Sequence, residues 1–363
     1  MKKNIAWIDT IRVLASFLVI FCHYFMCDGF SMETRFGVHL YEFASMCVVL
    51  FFAISGYLVH GSLVRTPNLR EFYKKKLVRL IVPFTVAWFI MSAIMIFLAL
   101  LNPDMTEKVT LFHALFGAKY FSLILGMFPV DLNITHFLDI KVDWFIGEWF
   151  IGTIIWLYLI SPFLDKCAVR FPILSLAMSI VIAYAVYCAT QGLFEQERIF
   201  GRWSIFVVRI PEFLFGMILY IHREKLLQYK KILIPCATIL LAVAMVCFSY
   251  DYPSPRLFFY PTEPTGCLLT LPTTYLAFNA AEFFNEHLTK IFDWFNSFNG
   301  VSYMAMLIQH MVIYSFTAAF NLKDLRPFGM VYLLLLITAT IFWLSGYIKR
   351  YSDAAEKFVL KKV

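Results

Sequence analysis

Charge is what this chain has least of. Of its 363 residues only 15% are Asp, Glu, Lys or Arg, against about 25% in a soluble domain. A water-soluble fold of this size needs a largely polar surface to stay dispersed. With 61% apolar residues that surface is not available, so a soluble fold is excluded. A disordered chain requires low hydrophobicity, and the mean hydropathy here is +0.74.

Other absences narrow the chemistry. None of the eight cysteines forms a C-x-x-C pair, and most lie inside apolar runs, where Cys behaves as a small hydrophobe. No H-x-x-x-H or carboxylate cluster calls for a metal. There is no G-x-S-x-G elbow. The formal charge of +7 is spread between apolar runs rather than gathered on one soluble face, so no nucleic-acid partner is expected. No gap between those runs is long enough for a soluble domain; the longest covers residues 102–142.

What is present is a series of long apolar runs. About 20 such residues cross a bilayer as a helix. Ten runs qualify: 6–27, 41–64, 77–101, 143–165, 171–190, 203–222, 231–250, 265–284, 298–320 and 328–350. The sequence therefore predicts an all-α, polytopic membrane protein that forms a single membrane-embedded domain over 1–363, with no appended soluble domain. The segment 110–128, broken by Gly117, Lys119 and Gly126, reads as interfacial or re-entrant. The first run follows Lys2 and Lys3 like a signal peptide, but Arg12 interrupts it and no small-residue cleavage site follows, so it reads as a retained helix. With the N-terminus inside, 20 of the 31 Lys and Arg fall in inner segments and nine in outer ones. That bias places both termini in the cytosol, in the inner or plasma membrane.

A charge at mid-bilayer costs at least ~2.5–3.5 kcal/mol, so buried polar groups are the best functional pointers. The first helix carries Asp9, Arg12 and His23. Arg12 and His23 are separated by about three helical turns, share one face and stand about 16 Å apart. Asp9 is three residues before Arg12, within pairing range. Imidazole is the side chain best matched to proton transfer near neutral pH. Snorkelling by Arg12 and a plain interhelical bond from His23 are the competing explanations.

Ser55 precedes Gly56 in the second run, where small residues also serve close helix packing. Arg70, Lys74, Lys75, Lys76 and Arg79 form a basic cluster at the inner mouth of helices two and three. Orientation accounts for them; they also suit an anionic cytosolic ligand. Asp143 and Glu148 flank Trp144 near the outer interface, as anchors or as acceptor contacts. Arg209, Pro211 and Glu212 in the sixth run suggest a kink lining a cavity, or a structural ion pair. Tyr303 and His310 lie in the ninth run, and His310 needs a polar partner there.

Taken together, these segments resemble the membrane acyltransferase-3 family. Asp9-x-x-Arg12, ten residues, then His23 is similar to its first-helix signature. Phe51 to Val59, Trp144 to Pro162, Arg209 to Gly216 and Ser302 to His310 resemble four further motifs in the same order. Met306, Gln309 and Asp143 depart from the pattern. The resemblance implies O-acylation, usually O-acetylation, of cell-envelope glycans or their lipid-linked precursors, with acetyl-CoA as donor. It implies His23, Arg12 and Asp9 as catalytic, with His23 as general base or as the carrier of an acetyl group. With such a donor, the basic cluster at the cytosolic mouth is expected to meet its phosphates at Arg70, Lys74, Lys75, Lys76 and Arg79. Ser55, Glu148, Arg209, Glu212, Tyr303 and His310 fall on the acceptor side. The expected partners are the acyl-CoA donor, the glycan acceptor and membrane lipids; homo-oligomer formation stays open. Two other functions fit the same buried polar groups: a transporter of amino-acid-like solutes on the same fold, and a flippase or assembly partner without catalysis.

Overall fold

The computed structural model describes residues 6–26, 35–101, 128–129, 131–138, 149–197, 201–250, 267–320 and 325–362. Among these the regular structure is helical. In chain order the helices are α1 (Ala6–Met26), α2 (Arg35–Arg65), α3 (Leu69–Leu101), the short α4 (Leu132–Phe137), α5 (Trp149–Arg170), α6 (Pro172–Ala189), the short α7 (Gln191–Glu195), α8 (Ile210–Ile221), α9 (Arg223–Gln228), α10 (Lys230–Tyr250), α11 (Cys267–His287), α12 (Thr289–Asn296), α13 (Asn299–Ala319) and α14 (Pro327–Lys362).

Counting the described residues alone, six helices are long and apolar enough to cross a membrane: α1, α2, α3, α5, α6 and α14. They match six of the ten expected runs. The run 203–222 is not one continuous helix. Two 3-10 turns, Arg202–Ser204 and Phe206–Arg209, precede the 12-residue α8. At 1.5 Å per residue α8 covers about 18 Å, well short of a bilayer core. The cause is local. Pro211 sits in the first turn of α8, where its missing N–H costs nothing, and a helix that begins there cannot run through from 203. The expected kink is thus a helix start.

Three helices exceed the expected bounds by six residues or more. α2 begins at Arg35, α14 runs on to Lys362, and α3 begins at Leu69. Asn68 opens α3 by accepting from the Arg70 and Glu71 backbone N–H groups, so the basic segment is helical. Of the expected interfacial piece at 110–128, all but Phe128 lies outside the described residues.

α1 is the hub. Its Ile20 and Tyr24 join a core with Phe84, Trp88, Leu307 and Ile341 from α3, α13 and α14. Its Trp7, Ile8 and Ile11 join another with Ile54, Tyr57 and Phe278 from α2 and α11. A third core, of Phe52, Phe72, Leu157 and Phe213, ties α2, α3, α5 and α8. The surface is apolar: Ile173 is 84% and Phe328 91% exposed. The interior holds Thr10, Ser16, Arg209, Glu212 and Gln309. Apolar outside and polar within is the arrangement lipid selects.

Contacts give the relative directions. Trp7 meets Tyr57 while Val19 packs with Cys47, so α1 and α2 are antiparallel. Phe17 meets Phe298 and His23 meets His310, so α1 and α13 are parallel. Phe17 stacks on Phe342 while Tyr24 bonds Met330, so α14 opposes α1. Arg12 lies near Lys76, and Arg79 near Glu356. The start of α1 and the end of α14 therefore lie on one side of the bundle.

α2 and α8 make the tightest crossing. A Cβ on Gly56 would stand 1.8 Å from the Phe213 carbonyl oxygen, and one on Gly216 would stand 1.9 Å from that of Ala53. Each glycine faces the carbonyl three residues before the other, the pattern of a parallel small-residue crossing.

Candidate active site

The line of polar groups expected on α1 is present. Arg12 Nη1 lies 3.9 Å from Asp9 Oδ1, with the two side chains 36% and 26% exposed. Ser16, fully buried one turn further, donates to the Arg12 carbonyl at 2.8 Å. His23 follows near the far end of α1. Tyr24 holds that end in place: its hydroxyl, at 0% exposure, donates to the Met330 carbonyl of α14 at 2.8 Å.

At the His23 end, α13 brings His310 against His23. The ring centroids are 4.1 Å apart and the planes inclined by 39°. Gln309, fully buried, lies beside the His23 ring. Its Nε2 donates weakly to Met306 Sδ at 3.7 Å. Nδ1 of His23 and Oε1 of Gln309 are both buried without a hydrogen-bond partner. Such groups are costly to leave unmet in a dry interior, and the Gln309 side chain is the polar group set against the His23 ring.

At the Arg12 end the surroundings are cationic. Lys76 turns inward, and Arg12, Arg79 and Arg65 all lie close enough to repel it. Its Nζ stands 5.4 Å from the Tyr158 ring centroid, a cation–π contact. Tyr158 in turn interacts with Arg12 and with the Ser55 side chain. This joins Ser55, Tyr158, Arg12 and Lys76 into one group between α1, α2, α3 and α5.

The basic cluster is therefore divided. Lys75 is exposed and pairs with Glu71 at 2.5 Å on the outer face of α3. Arg70 and Arg79 are exposed and Lys74 is half-buried. Lys76 is the member that reaches the interior group.

Arg209 and Glu212 pair at 3.1 Å and are almost wholly buried, at 2% and 0% exposure. Glu212 Oε2 has no hydrogen-bond partner. Just upstream, Ser204 ties α4 to α5: Asn133 Nδ2 donates to Ser204 Oγ at 2.9 Å, and Thr153 Oγ1 donates to the Ser204 carbonyl at 2.8 Å. Asp131 caps α4 by accepting from the Asn133 N–H at 2.8 Å. Burial pushes the Asp131 carboxyl above its ordinary value, and that N–H pulls it back.

Tyr303 is not drawn to the imidazoles. Its hydroxyl donates to the Leu80 carbonyl at 3.1 Å and joins α13 to α3, about two turns from His310. Glu148, like Asp143, lies outside the described residues. Among the described residues no group of three His, Cys, Asp or Glu is arranged to hold a metal.

One close pair has no counterpart in the sequence reading. His60 Nδ1 lies 2.5 Å from Asp165 Oδ1, with the side chains 12% and 19% exposed. It joins α2 to α5, and Tyr220 lies beside the ring at 5.0 Å. The two residues are 105 positions apart, and no local pattern links them.

An apolar exterior around a half-buried line of acid, cations and imidazoles defines a multi-pass membrane protein with a polar interior site. A family model described as an acyltransferase domain matches residues 5–349. The chain belongs to the acyltransferase-3 family, and it is a membrane acyltransferase. No curated protein and no solved structure matches it significantly.

Proposed function

We propose that this protein transfers an acetyl group from acetyl-CoA to a hydroxyl of a cell-envelope glycan or its lipid-linked precursor, in the inner or plasma membrane. The observation that carries this reading is the orphaned Nδ1 of His23 beside His310, about 16 Å along one helix from an inward cation group. The cytosol lies on the side of Arg12 and Lys76, in keeping with the Lys and Arg bias.

The donor's phosphates meet Arg12, Lys76, Arg79 and Arg65, where repulsion among the cations favours an anion. Arg70 and Lys74 lie further out, along its approach. The arm of the donor runs up the α1 stripe and presents the thioester at His23. His23 takes the proton from the acceptor hydroxyl. The oxygen forms a bond to the thioester carbonyl carbon and the carbon–sulfur bond breaks. The thiolate leaves and recovers the proton from the imidazolium. His310, its ring 4.1 Å from that of His23 and inclined to it by 39°, walls the site on the α13 side. Gln309 offers Oε1 to a second hydroxyl of the acceptor. The Arg209–Glu212 pair stands on the acceptor's route, with Glu212 Oε2 as its hydrogen-bond acceptor. An acetyl group carried on His23 itself uses the same geometry.

The test is thiol release from acetyl-CoA by the full-length protein in lipid nanodiscs with an envelope glycan. Wild type releases thiol and labels the glycan, and His23→Ala loses both while inserting normally. Near-wild-type labelling by His23→Ala removes the imidazole from the reaction. Solute counterflow without thiol release assigns the interior to transport. Acetyl trapped on His23 in the absence of acceptor distinguishes the covalent route from direct transfer.

A further inference from the structure

His60 and Asp165 take no part in the proposed reaction, yet they tie two helices together inside the bundle. His60 Nδ1 lies 2.5 Å from Asp165 Oδ1, and the side chains are 12% and 19% exposed. An imidazole nitrogen meets a carboxylate oxygen favourably only with a proton on it, so the Nδ1–H donates and Asp165 accepts. The Tyr220 ring of α8 backs the imidazole at 5.0 Å. Gly61, next in the chain, makes room for that ring: a Cβ there would stand 3.2 Å from it. The imidazole is thus fixed on two sides.

The tie falls in line with the cation group. Along α2 and α5 three contacts follow in the same order. Phe52 meets Phe150 at 4.7 Å, Ser55 meets Tyr158, and His60 meets Asp165. The two helices therefore run the same way. His60 lies about 7.5 Å beyond Ser55 along its axis, and Asp165 about 10.5 Å beyond Tyr158. Elsewhere each helix is held by a different neighbour. α2 is pressed on α8 at Gly56, and α5 is tied to α3 where the Tyr73 hydroxyl donates to the Leu159 carbonyl at 2.7 Å. Apolar rings such as Phe52 and Phe150 slide over one another, whereas a hydrogen bond fixes the pairing of two particular atoms. A carboxylate–imidazole pair taken from water adds little net stability, because its desolvation offsets the contact. What it supplies is register.

Register matters at Tyr158. Its ring carries Lys76 at 5.4 Å, and it interacts with Arg12 and Ser55. A shift of α5 against α2 moves that ring from both cations. We propose that His60 and Asp165 are positioning residues, which set α5 against α2 so that Tyr158 holds Lys76 and Arg12 together as one anion site. This rests on the acyl-transfer reading. It also divides the reaction: loss of the pair weakens the hold on the donor and leaves the His23 end of α1 as it was.

The test is thiol release from acetyl-CoA by full-length protein in nanodiscs with an envelope glycan, together with equilibrium dialysis of CoA. His60→Ala and Asp165→Ala should each raise the KM for acetyl-CoA and the Kd for CoA about 10-fold, the size of one charge-assisted hydrogen bond, with kcat unchanged. Asp165→Asn keeps an oxygen that accepts from Nδ1–H and should restore both constants. The double alanine variant should match either single one, since the two residues act as a unit. Unchanged constants in the single variants overturn the inference, even where the melting temperature falls, because the pair is then structural alone. A loss of kcat without a rise in KM overturns it, as does an Asp165→Asn protein as impaired as Asp165→Ala. So does a double variant with wild-type constants, since the single variants then suffer from an unpaired buried group and register is not at issue. If wild type binds CoA but releases no thiol, the proposed reaction fails and the Kd series alone decides the positioning. If wild type does neither, both fall.

Discussion

Replacing Gly56 with Ala is the sharpest perturbation the bundle offers. The added carbon would stand 1.8 Å from the Phe213 carbonyl oxygen, whereas a carbon–oxygen contact settles at about 3.3 Å or more. Because the obstacle is backbone, no rotamer relieves it, and α2 and α8 must separate by roughly 1.5 Å. Gly216 meets Ala53 in the same crossing, so the separation breaks both contacts together. Overpacking of a well-packed interior costs about 1–3 kcal/mol, and a backbone clash belongs at the top of that range. Ser55 is the neighbour of Gly56, and Glu212 is one turn from Gly216, so the same movement pulls both from their places. The expected result is loss of thermal stability, read by size exclusion after heating in detergent, together with loss of acyl transfer. Gly346→Ala and Gly192→Ala serve as controls, because nothing lies within 4 Å of either added carbon. They should be neutral or stabilising by up to about 1 kcal/mol, the helix advantage of Ala over Gly. Gly216→Ala should match Gly56→Ala, and the double variant should lose less than the sum, since both clashes are relieved by one separation. A Gly56→Ala protein as stable and active as wild type would refute the crossing as described.

Other outcomes are expected. Arg12→Lys should retain the fold and lower acyl transfer, because an ammonium lacks the planar fork that meets a carboxylate and a phosphate together; an unchanged rate would reduce Arg12 to an interfacial anchor. Tyr24→Phe removes the bond to Met330 and should cost about 1 kcal/mol of stability, with a further loss of activity as the His23 end of α1 loosens, measured by melting and by turnover. Glu212→Leu leaves the buried Arg209 without its carboxylate and should cost about 3–5 kcal/mol, seen as a low yield of monodisperse protein.

Much of the architecture was legible because lipid imposes simple rules. Scarce charge and long apolar runs identified the class, and the i,i+3 spacing identified the Asp9–Arg12 and Arg209–Glu212 pairs. Periodicity also placed His23 in line with Arg12. What could not be read was contact between distant helices. His310 was chosen for its depth in its run, but nothing local says that it meets His23. Gln309 stood out only as a departure from the family motif, yet its amide lies at the imidazole. His60 and Asp165 gave no signal, since their meeting depends on how α2 crosses α5. The basic segment looked like one patch because five cations crowd a short stretch; the helix begun at Asn68 directs Lys76 inward and Lys75 outward. The run 203–222 misled for another reason. Hydropathy measures how apolar a segment is, and it does not register that Pro211 restarts the helix.

The placing of Arg12 and His23 on one helix, α1, has a mechanical consequence. A hydrogen-bonded helix scarcely stretches, so the span from guanidinium to imidazole stays constant however the surrounding helices rock. In the proposed reaction α1 therefore acts as a gauge of constant length between the donor's anchor and the imidazole. On the proposed reading, a carrier whose flexible tether is shorter than that gauge would deliver its cargo below the imidazole.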